Sequence, residues 1–225
     1  MVKKVKKKFK IKYRLILTFL LVFYLVALFI YNLMNTSITN IYIYNNNFLS
    51  DYEIIKESGI EDYPATIKVW SSSIEKKLLN NIYILDVDVS KKNFLEIYID
   101  ITENRPLFLY QSINKTVLLD GRTVDKKFNV PIVVNYIPDV VYEVFKSKMS
   151  EIDNDVLIKI SEIKYFPNEV DNSRFFLTMN DGNYVYLTAS KFEKINNYLE
   201  LARNIDNKKG IFYLDYGNKF DILEE

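Results

Sequence analysis

The chain has 225 residues and a formal net charge of +1, with 49% hydrophobic and 26% charged residues, which is enough apolar material for one membrane anchor and one or two small domains. It contains neither histidine nor cysteine, which excludes thiolate nucleophiles, disulfides, zinc sites of cysteine or histidine, and histidine-based acid–base catalysis. Any enzyme built on this chain would have to use carboxylates, lysines, serines or tyrosines.

Residues 1–14 are predicted to form a basic cytoplasmic head. The rest of the chain holds 22 of the 30 basic residues and all 29 acidic ones, a net charge of −7. A lysine run can bind nucleic acid, but this one adjoins an apolar segment and precedes an acidic body, so we interpret it as a membrane topology signal. The residues that set the orientation are Lys3, Lys4, Lys6, Lys7, Lys8, Lys10, Lys12 and Arg14.

Residues 15–34, "LILTFLLVFYLVALFIYNLM", are predicted to form a transmembrane helix. About 20 residues at about 1.5 Å each cross a hydrocarbon core of about 30 Å. A cleaved signal peptide fits less well, because the run is longer than the usual ~7–15 residues and no A-x-A-like site follows. By the positive-inside rule, the head stays in the cytoplasm and the chain from about residue 35 is exported. The sequence therefore predicts a single-pass protein of the cell membrane.

A strand, a capped helix and a second helix are predicted next. The strand covers Ile38–Tyr44, which is β-branched and aromatic. The first helix begins at Ser50, because Ser50 and Glu53 form an S-x-x-E capping box, and ends at Gly59. The second helix lies in "SSSIEKKLLNN", with Ser73 as its predicted N-cap.

Two segments then alternate strictly between apolar and polar residues, as in strands with one buried and one solvated face. In the first, the predicted buried side chains are Tyr83, Leu85, Val87 and Val89. In the second, Leu95–Asn104, they are Leu95, Ile97, Ile99 and Ile101. We expect residues 35–105 to form a β-α-α-β-β module in which two helices cover one face of a three-stranded sheet.

Residues 106–225 are predicted to form a second, β-rich domain, so the overall fold class is α+β. Short strands are predicted in "LFLYQ", "KTVLLDG" and "VPIVVNY", and "RFFLTMNDGNYVYLT" is predicted to be a hairpin that turns at Asp181-Gly182. Helical spacing predicts helices over Asp139–Ile152 and Ser190–Ala202, with buried faces of Val141, Phe145, Met149 and of Phe192, Ile195, Leu199, Ala202. The last predicted strand is Ile211–Tyr216.

This order of segments resembles the FtsQ/DivIB family of cell-division proteins, and the first module resembles a POTRA domain. The likeness lies in "NFLSDYEIIKESGI", "ENRPLFLY", "LLDGRTV" followed by "VPIVVNY", and "KKGIFYLDYG", and extends in order over essentially the whole chain. One departure is visible, because the terminal strand of the family commonly continues into an aspartate-arginine pair, whereas Asp215 is followed here by Tyr216.

The resemblance implies a non-catalytic divisome scaffold that is enriched at the division septum and binds FtsB/DivIC-like and FtsL-like bitopic coiled-coil proteins outside the membrane. The partner commonly docks along the last strand and the preceding helix, which here are Ile211–Tyr216 and Phe192–Leu201. An exposed edge strand offers unpaired backbone groups to such a partner. The same alternation also fits a buried strand with Phe212 and Leu214 in the core. The candidate contacts are Ile211, Phe212, Tyr213, Leu214, Asp215, Tyr216, Phe192 and Tyr198.

The motifs of enzymes and metal sites are weak in this chain. Three S-x-x-K matches, at Ser73–Lys76, Ser112–Lys115 and Ser161–Lys164, lack the K-T-G and S-x-N motifs of penicillin-binding transpeptidases. Asp86/Asp88 and Asp153/Asp155 lack the spacing and the glycine of an EF-hand. We therefore predict no enzyme, cofactor, metal, small-molecule substrate or nucleic acid. An anchored sensor, a secretion-associated POTRA protein and an adhesin are the alternatives to a division protein.

Overall fold

The structure is a computed structural model that describes residues 13–205, 208–217 and 219–223. The chain divides into two compact units, residues 1–103 and 104–225. Most of the predicted basic head lies outside the described residues, namely Lys3, Lys4, Lys6, Lys7, Lys8, Lys10 and Lys12.

Helix α1, Tyr13–Asn35, is the one helix in the described part of the chain that is long and apolar enough to cross a membrane. Its 23 residues rise about 34 Å, slightly more than a hydrocarbon core of about 30 Å. Arg14 lies in the first turn of α1, and the long apolar side chains of this helix are exposed. The helix covers the predicted span of residues 15–34 and fits a membrane anchor.

The rest of the first unit has the predicted order β-α-α-β-β. The sheet order is β1-β3-β2, with β1 parallel and β2 antiparallel to β3. A short 3-10 helix connects the two α-helices. The elements are β1 (Asn40–Tyr44), α2 (Asp51–Ser58), the 3-10 helix (Thr66–Lys68), α3 (Ser71–Leu78), β2 (Ile84–Lys92) and β3 (Glu96–Glu103).

The predicted caps of α2 are confirmed, whereas the predicted cap of α3 is wrong. The Ser50 hydroxyl accepts the Glu53 amide at 3.3 Å, the Ser50 amide donates to the Glu53 carboxylate at 3.0 Å, and Gly59 closes the helix at φ +69. Helix α3 instead follows Trp70, whose backbone is extended, and Ser73 lies in the first turn. Three consecutive serines have similar capping preferences, so their sequence does not show where the helix begins.

The core of the first unit lies between its two α-helices and the sheet. Ile97, Ile99 and Ile101 are buried on one face of β3, as predicted. Leu85 is 42% exposed, so its predicted burial on β2 is wrong. The strand pairing shifts in register between Ile84 and Asp86, and such a bulge turns the inserted side chain away from the core.

The second unit is built on a nine-stranded sheet with the order β12-β11-β10-β9-β8-β7-β4-β5-β6. Three neighbouring pairs are parallel, β4–β7, β7–β8 and β10–β11, and the others are antiparallel. The strands are β4 (Pro106–Tyr110), β5 (Lys115–Leu118), β6 (Thr123–Val124), β7 (Ile132–Val133), β8 (Ile160–Tyr165), β9 (Arg174–Met179), β10 (Tyr184–Thr188), β11 (Gly210–Tyr213) and β12 (Lys219–Ile222). The helices are α4 (Asp139–Met149), α5 (Asn154–Leu157), a 3-10 helix (Ala189–Asn197) and α6 (Tyr198–Arg203).

An aromatic cluster at the centre of this unit joins helix, 3-10 segment and sheet. The Phe145 ring lies 4.8 Å from Phe175 and 5.1 Å from Phe192. Phe145 and Met149 are buried on the predicted stripe of α4. The predicted hairpin is confirmed as β9–β10, with Gly182 at φ +87 in its turn.

The segment Ser190–Ala202 does not form the single α-helix that its spacing predicts. It is divided between the 3-10 helix, which is kinked at Lys191, and α6. The predicted apolar face is nevertheless correct, because Phe192 and Ile195 are buried. Helical spacing therefore identified the packing face, but not the type of helix.

Candidate partner-binding site

The last strands of the second unit differ from the prediction at the point where a partner was expected to bind. Strand β11 lies between β10, to which it is parallel, and β12, to which it is antiparallel. The expectation that Ile211–Tyr216 is an exposed terminal edge is therefore wrong. A further strand, β12, pairs with it, and the sequence patterns did not predict that strand. The only signal for that strand was the alternation of Lys219 and Asp221 with Phe220 and Ile222.

Strand β11 ends at Tyr213 because the chain turns there. The Leu214 amide makes the last bond of the parallel ladder, to the carbonyl of Tyr186 at 2.9 Å, and the Asp215 amide donates to the same carbonyl at 3.1 Å, so the ladder stops there. Tyr216 therefore does not share a buried face with Phe212, and its side chain is 87% exposed.

The eight predicted contacts do not form one surface. Phe192, Tyr198, Phe212 and Leu214 belong to the buried core, so they support the site from within rather than facing a partner. Ile211, Tyr213 and Asp215 are half-buried, and Tyr216 is exposed.

A polar network around the buried side chains of Tyr198 and Asn183 ties β11 to the hairpin and to α6. The Tyr198 hydroxyl donates to the Asp181 carboxylate at 2.7 Å and accepts from the Asn183 side-chain amide at 3.0 Å. The carbonyl oxygen of the Asn183 side chain in turn accepts the amide of Gly210 at 3.0 Å. Burial, and then the hydrogen bond to Asp181, raise the pKa of Tyr198 well above its ordinary value, so the hydroxyl stays neutral.

Gly210 allows β12 to lie close to β11. A Cβ atom at this position would collide with the ring of Phe220 and with the carbonyl of Asp221. The Phe220 ring instead packs on Phe212, with 4.6 Å between the ring centroids. Strand β12 is thus held against β11 by the packing of Phe220 on Phe212 beside Gly210, as well as by backbone hydrogen bonds.

The outer edge of β12 is open. Antiparallel strands alternate between residue pairs that exchange two backbone hydrogen bonds and pairs that exchange none. The Leu223 amide donates to the Lys209 carbonyl at 2.9 Å, so Leu223 and Lys209 form a hydrogen-bonded pair. By the alternation, Phe220 and Ile222 then belong to the pairs that exchange no backbone hydrogen bonds with β11. Their backbone groups therefore point away from β11, and in the described ranges no strand pairs with them. Such an edge can accept an additional strand.

A row of aromatic rings crosses the solvent-facing side of the sheet towards this edge. Cross-strand register aligns one residue from each of five strands. The ring centroids of Phe176 and Tyr186 lie 4.9 Å apart, and those of Tyr186 and Tyr213 lie 5.4 Å apart. The row consists of Lys164, Phe176, Tyr186, Tyr213 and Lys219.

An arginine holds the turn after β11 against this row. The Arg174 guanidinium lies 3.6 Å from the centroid of the Tyr186 ring and pairs with the Asp215 carboxylate at 2.7 Å. Both charged side chains are mostly buried, so the pair is shielded from solvent. Asp215, one of the predicted contacts, therefore already has a partner within the chain.

The part of the chain that the structure describes contains no candidate metal centre. Among residues 13–205, 208–217 and 219–223, no group of three or more acidic side chains could hold a metal ion. Asp86 and Asp88 lie on the solvated face of β2, as predicted.

Comparison with known proteins identifies the family. The FtsQ-type POTRA domain matches residues 36–104. The cell division protein DivIB of Listeria monocytogenes serovar 1/2a is 30% identical over 211 residues, which cover 87% of this chain and 77% of the relative. DivIB of Bacillus subtilis (strain 168) is 26% identical over 221 residues, which cover 92% of this chain and 83% of the relative.

A solved structure of the major extracytoplasmic domain of DivIB from Geobacillus stearothermophilus is 23% identical, with a TM-score of 0.39, and covers 47% of this chain and 96% of that chain. This similarity is too low to bear on the fold. The two sequence relatives each match more than four fifths of this chain. The chain belongs to the DivIB family of cell division proteins.

Proposed function

We propose that this protein is a non-catalytic, membrane-anchored scaffold that binds other division proteins outside the membrane and recruits them during septum formation. Membership in the DivIB family supports the role in division. The open outer edge of β12 supports the binding role, because an incoming strand would satisfy its outward backbone groups. The proposed partners are FtsB/DivIC-like and FtsL-like bitopic coiled-coil proteins, and the proposed location is the division septum.

In the proposed binding mode, the partner pairs with the backbone of Lys219–Ile222 and not with that of Ile211–Tyr216, which the sequence had suggested. A partner strand would pair with the amides and carbonyls of Phe220 and Ile222. Side chains next to this edge would add specificity, since Tyr213 lies in the aromatic row and Tyr216 is 87% exposed. The core residues Phe192 and Tyr198 would act by supporting β11.

Replacing Ile222 by proline tests this binding mode. Proline has no amide proton, and the amide of Ile222 points outward, so Ile222→Pro removes a donor from the open edge without breaking a bond to β11. We expect weaker binding to the exported segment of the DivIC-like partner, measured by titration calorimetry, with an unchanged circular dichroism spectrum. Ile222→Ala is the matched control, because it shortens the same side chain but keeps the amide.

The two variants separate the possible contacts. A loss of affinity in Ile222→Pro but not in Ile222→Ala supports backbone pairing. An equal loss with both variants would instead assign the contact to the side chain. Wild-type affinity of Ile222→Pro would rule out strand addition at β12.

A further inference from the structure

The first residues after the membrane helix are built into the first unit. Helix α1 ends at Asn35. The Thr66 amide donates to the Thr36 carbonyl at 2.9 Å, and the Ile38 amide donates to the Pro64 carbonyl at 3.2 Å. The loop that precedes α3 is therefore fixed to the chain within three residues of the end of the anchor.

The turn between β2 and β3 is fixed to the same stretch from the other side. The Thr39 amide donates to the Leu95 carbonyl at 2.9 Å. The Lys91 ammonium group bridges the two segments, because it donates to the Thr66 carbonyl at 2.8 Å and also to the carbonyl of Val69. Residues 63–70 and 91–95 thus form one continuous surface, here called the membrane-proximal rim.

Geometry keeps this rim within reach of the lipid headgroups. The 23 residues of α1 rise about 34 Å against a hydrocarbon core of about 30 Å, so the helix reaches into a polar layer that is about 5–8 Å deep on each side. An extended chain rises about 3.3 Å per residue, so Thr39 lies within about 13 Å of Asn35.

The rim exposes the residue types that are enriched at membrane interfaces. Trp70 is 70% exposed, although tryptophan is highly buried on average in folded proteins. Ile67 and Phe94 are also exposed, and Lys68 and Lys92 lie beside them. Amphipathic aromatic rings and long lysine side chains together are typical of the boundary between headgroups and acyl chains.

We propose that the membrane-proximal rim is a lipid-binding surface, with the rings of Trp70 and Phe94 at the boundary between headgroups and acyl chains and the ammonium group of Lys68 at lipid phosphates. The Lys92 ammonium group instead lies over the ring of Tyr98, 4.2 Å from its centroid. Glu61 and Asp62 begin the same loop and offset the charge of Lys68. The contact therefore does not require anionic lipid. It fixes the orientation of the first unit on the bilayer, so that the anchor is more than a flexible tether.

The single tryptophan of the chain makes this proposal directly measurable. The full chain is placed in nanodiscs of palmitoyl-oleoyl phosphatidylcholine, with or without phosphatidylcholine that is brominated near the headgroup end of its acyl chains. We expect emission from Trp70 at a shorter wavelength than in water, strong quenching by the brominated lipid, and weak quenching by iodide in solution.

A matched control moves the tryptophan to the opposite end of the same sheet. Tyr52 is 66% exposed in the first turn of α2. Three residues before it, the Leu49 amide donates to the carboxylate of Glu103, the last residue of β3, at 2.7 Å. The eight residues of β3 span about 25 Å, so this position is far from the rim. In the double variant Trp70→Phe/Tyr52→Trp, iodide should quench strongly and the brominated lipid should quench several-fold less than in the wild type.

Equal bromolipid quenching in the wild type and the control would overturn the proposal. So would a Trp70 that is shielded from iodide but insensitive to the brominated lipid, because another protein surface would then cover it. If the control variant does not fold by circular dichroism, Trp70→Phe/Tyr44→Trp replaces it, since Tyr44 is the last residue of β1 and is also exposed.

Discussion

At the scale of single residues, Ser50 and Tyr198 each order their surroundings through side-chain hydrogen bonds. The capping pair of Ser50 and Glu53 follows from side-chain hydrogen bonds over three residues, so its signal is complete in the sequence. The roles of Phe212 and Tyr198 could not be predicted in the same way. Alternation separates two faces of a strand, but it does not show which face the rest of the fold will cover.

The buried hydroxyl of Tyr198 leads to a test of stability. Tyr198→Phe removes the acceptor of a hydrogen bond from Asn183, which is 2% exposed, and the donor to Asp181. We expect a loss of about 1–3 kcal/mol in the free energy of unfolding, measured by guanidinium denaturation of the full chain in detergent. Tyr184→Phe is the control, because Tyr184 is a half-buried tyrosine one residue from Asn183 and makes no side-chain hydrogen bond within the described residues.

The comparison of the wild type with Tyr198→Phe also predicts a pH dependence. The pKa of Tyr198 is raised in the folded protein, so the stability from its neutral hydroxyl is fully present below the ordinary tyrosine pKa of about 10 and is lost as the pH rises through the folded value. The difference in unfolding free energy between wild type and Tyr198→Phe should therefore stay constant up to about pH 10 and shrink above it. A difference that grows in that range would contradict the assigned donor role.

At the scale of secondary structure, the strictly alternating strand β3 was predictable and β12 was not. Ile97, Ile99 and Ile101 repeat one pattern along β3, and that pattern alone identifies a half-buried strand. Strand β12 has four residues, two of them charged. Its position depends on packing over Gly210, a contact between strands that no local pattern contains.

Replacing Gly210 tests whether β12 depends on this close packing. The added methyl group of Gly210→Ala must displace the Phe220 ring or the backbone of Asp221, so we expect β12 to loosen at a cost of about 1–3 kcal/mol. Hydrogen exchange should accelerate in residues 219–223, and binding of the DivIC-like segment should weaken. Ile211→Ala is the control, because it removes atoms from the adjacent position of the same strand. Unchanged exchange in Gly210→Ala would show that the packing over Gly210 does not hold β12.

At the scale of the whole molecule, the order of elements could be predicted but the strand order of the large sheet could not. The β-α-α-β-β order of the first unit follows from successive local patterns, and its small sheet leaves few ways to pair three strands. The second unit instead joins β4 to β8 through β7, a strand of only two residues with parallel partners on both sides. Pairing between segments so distant in the chain depends on tertiary packing, which has no local sequence signal.

Depletion in the native host tests the proposed role of the whole protein and its open edge together. We expect depleted cells to form filaments without septa, and a fluorescent fusion to form bands at mid-cell in normal cells. Expression of the wild type or of Ile222→Ala should restore septa, whereas Ile222→Pro should reach the membrane without restoring them, because the outward amide of β12 is missing. Full rescue by Ile222→Pro would separate division from strand addition at β12. Normal division after depletion, with a uniform membrane signal, would favour an anchored sensor or adhesin instead.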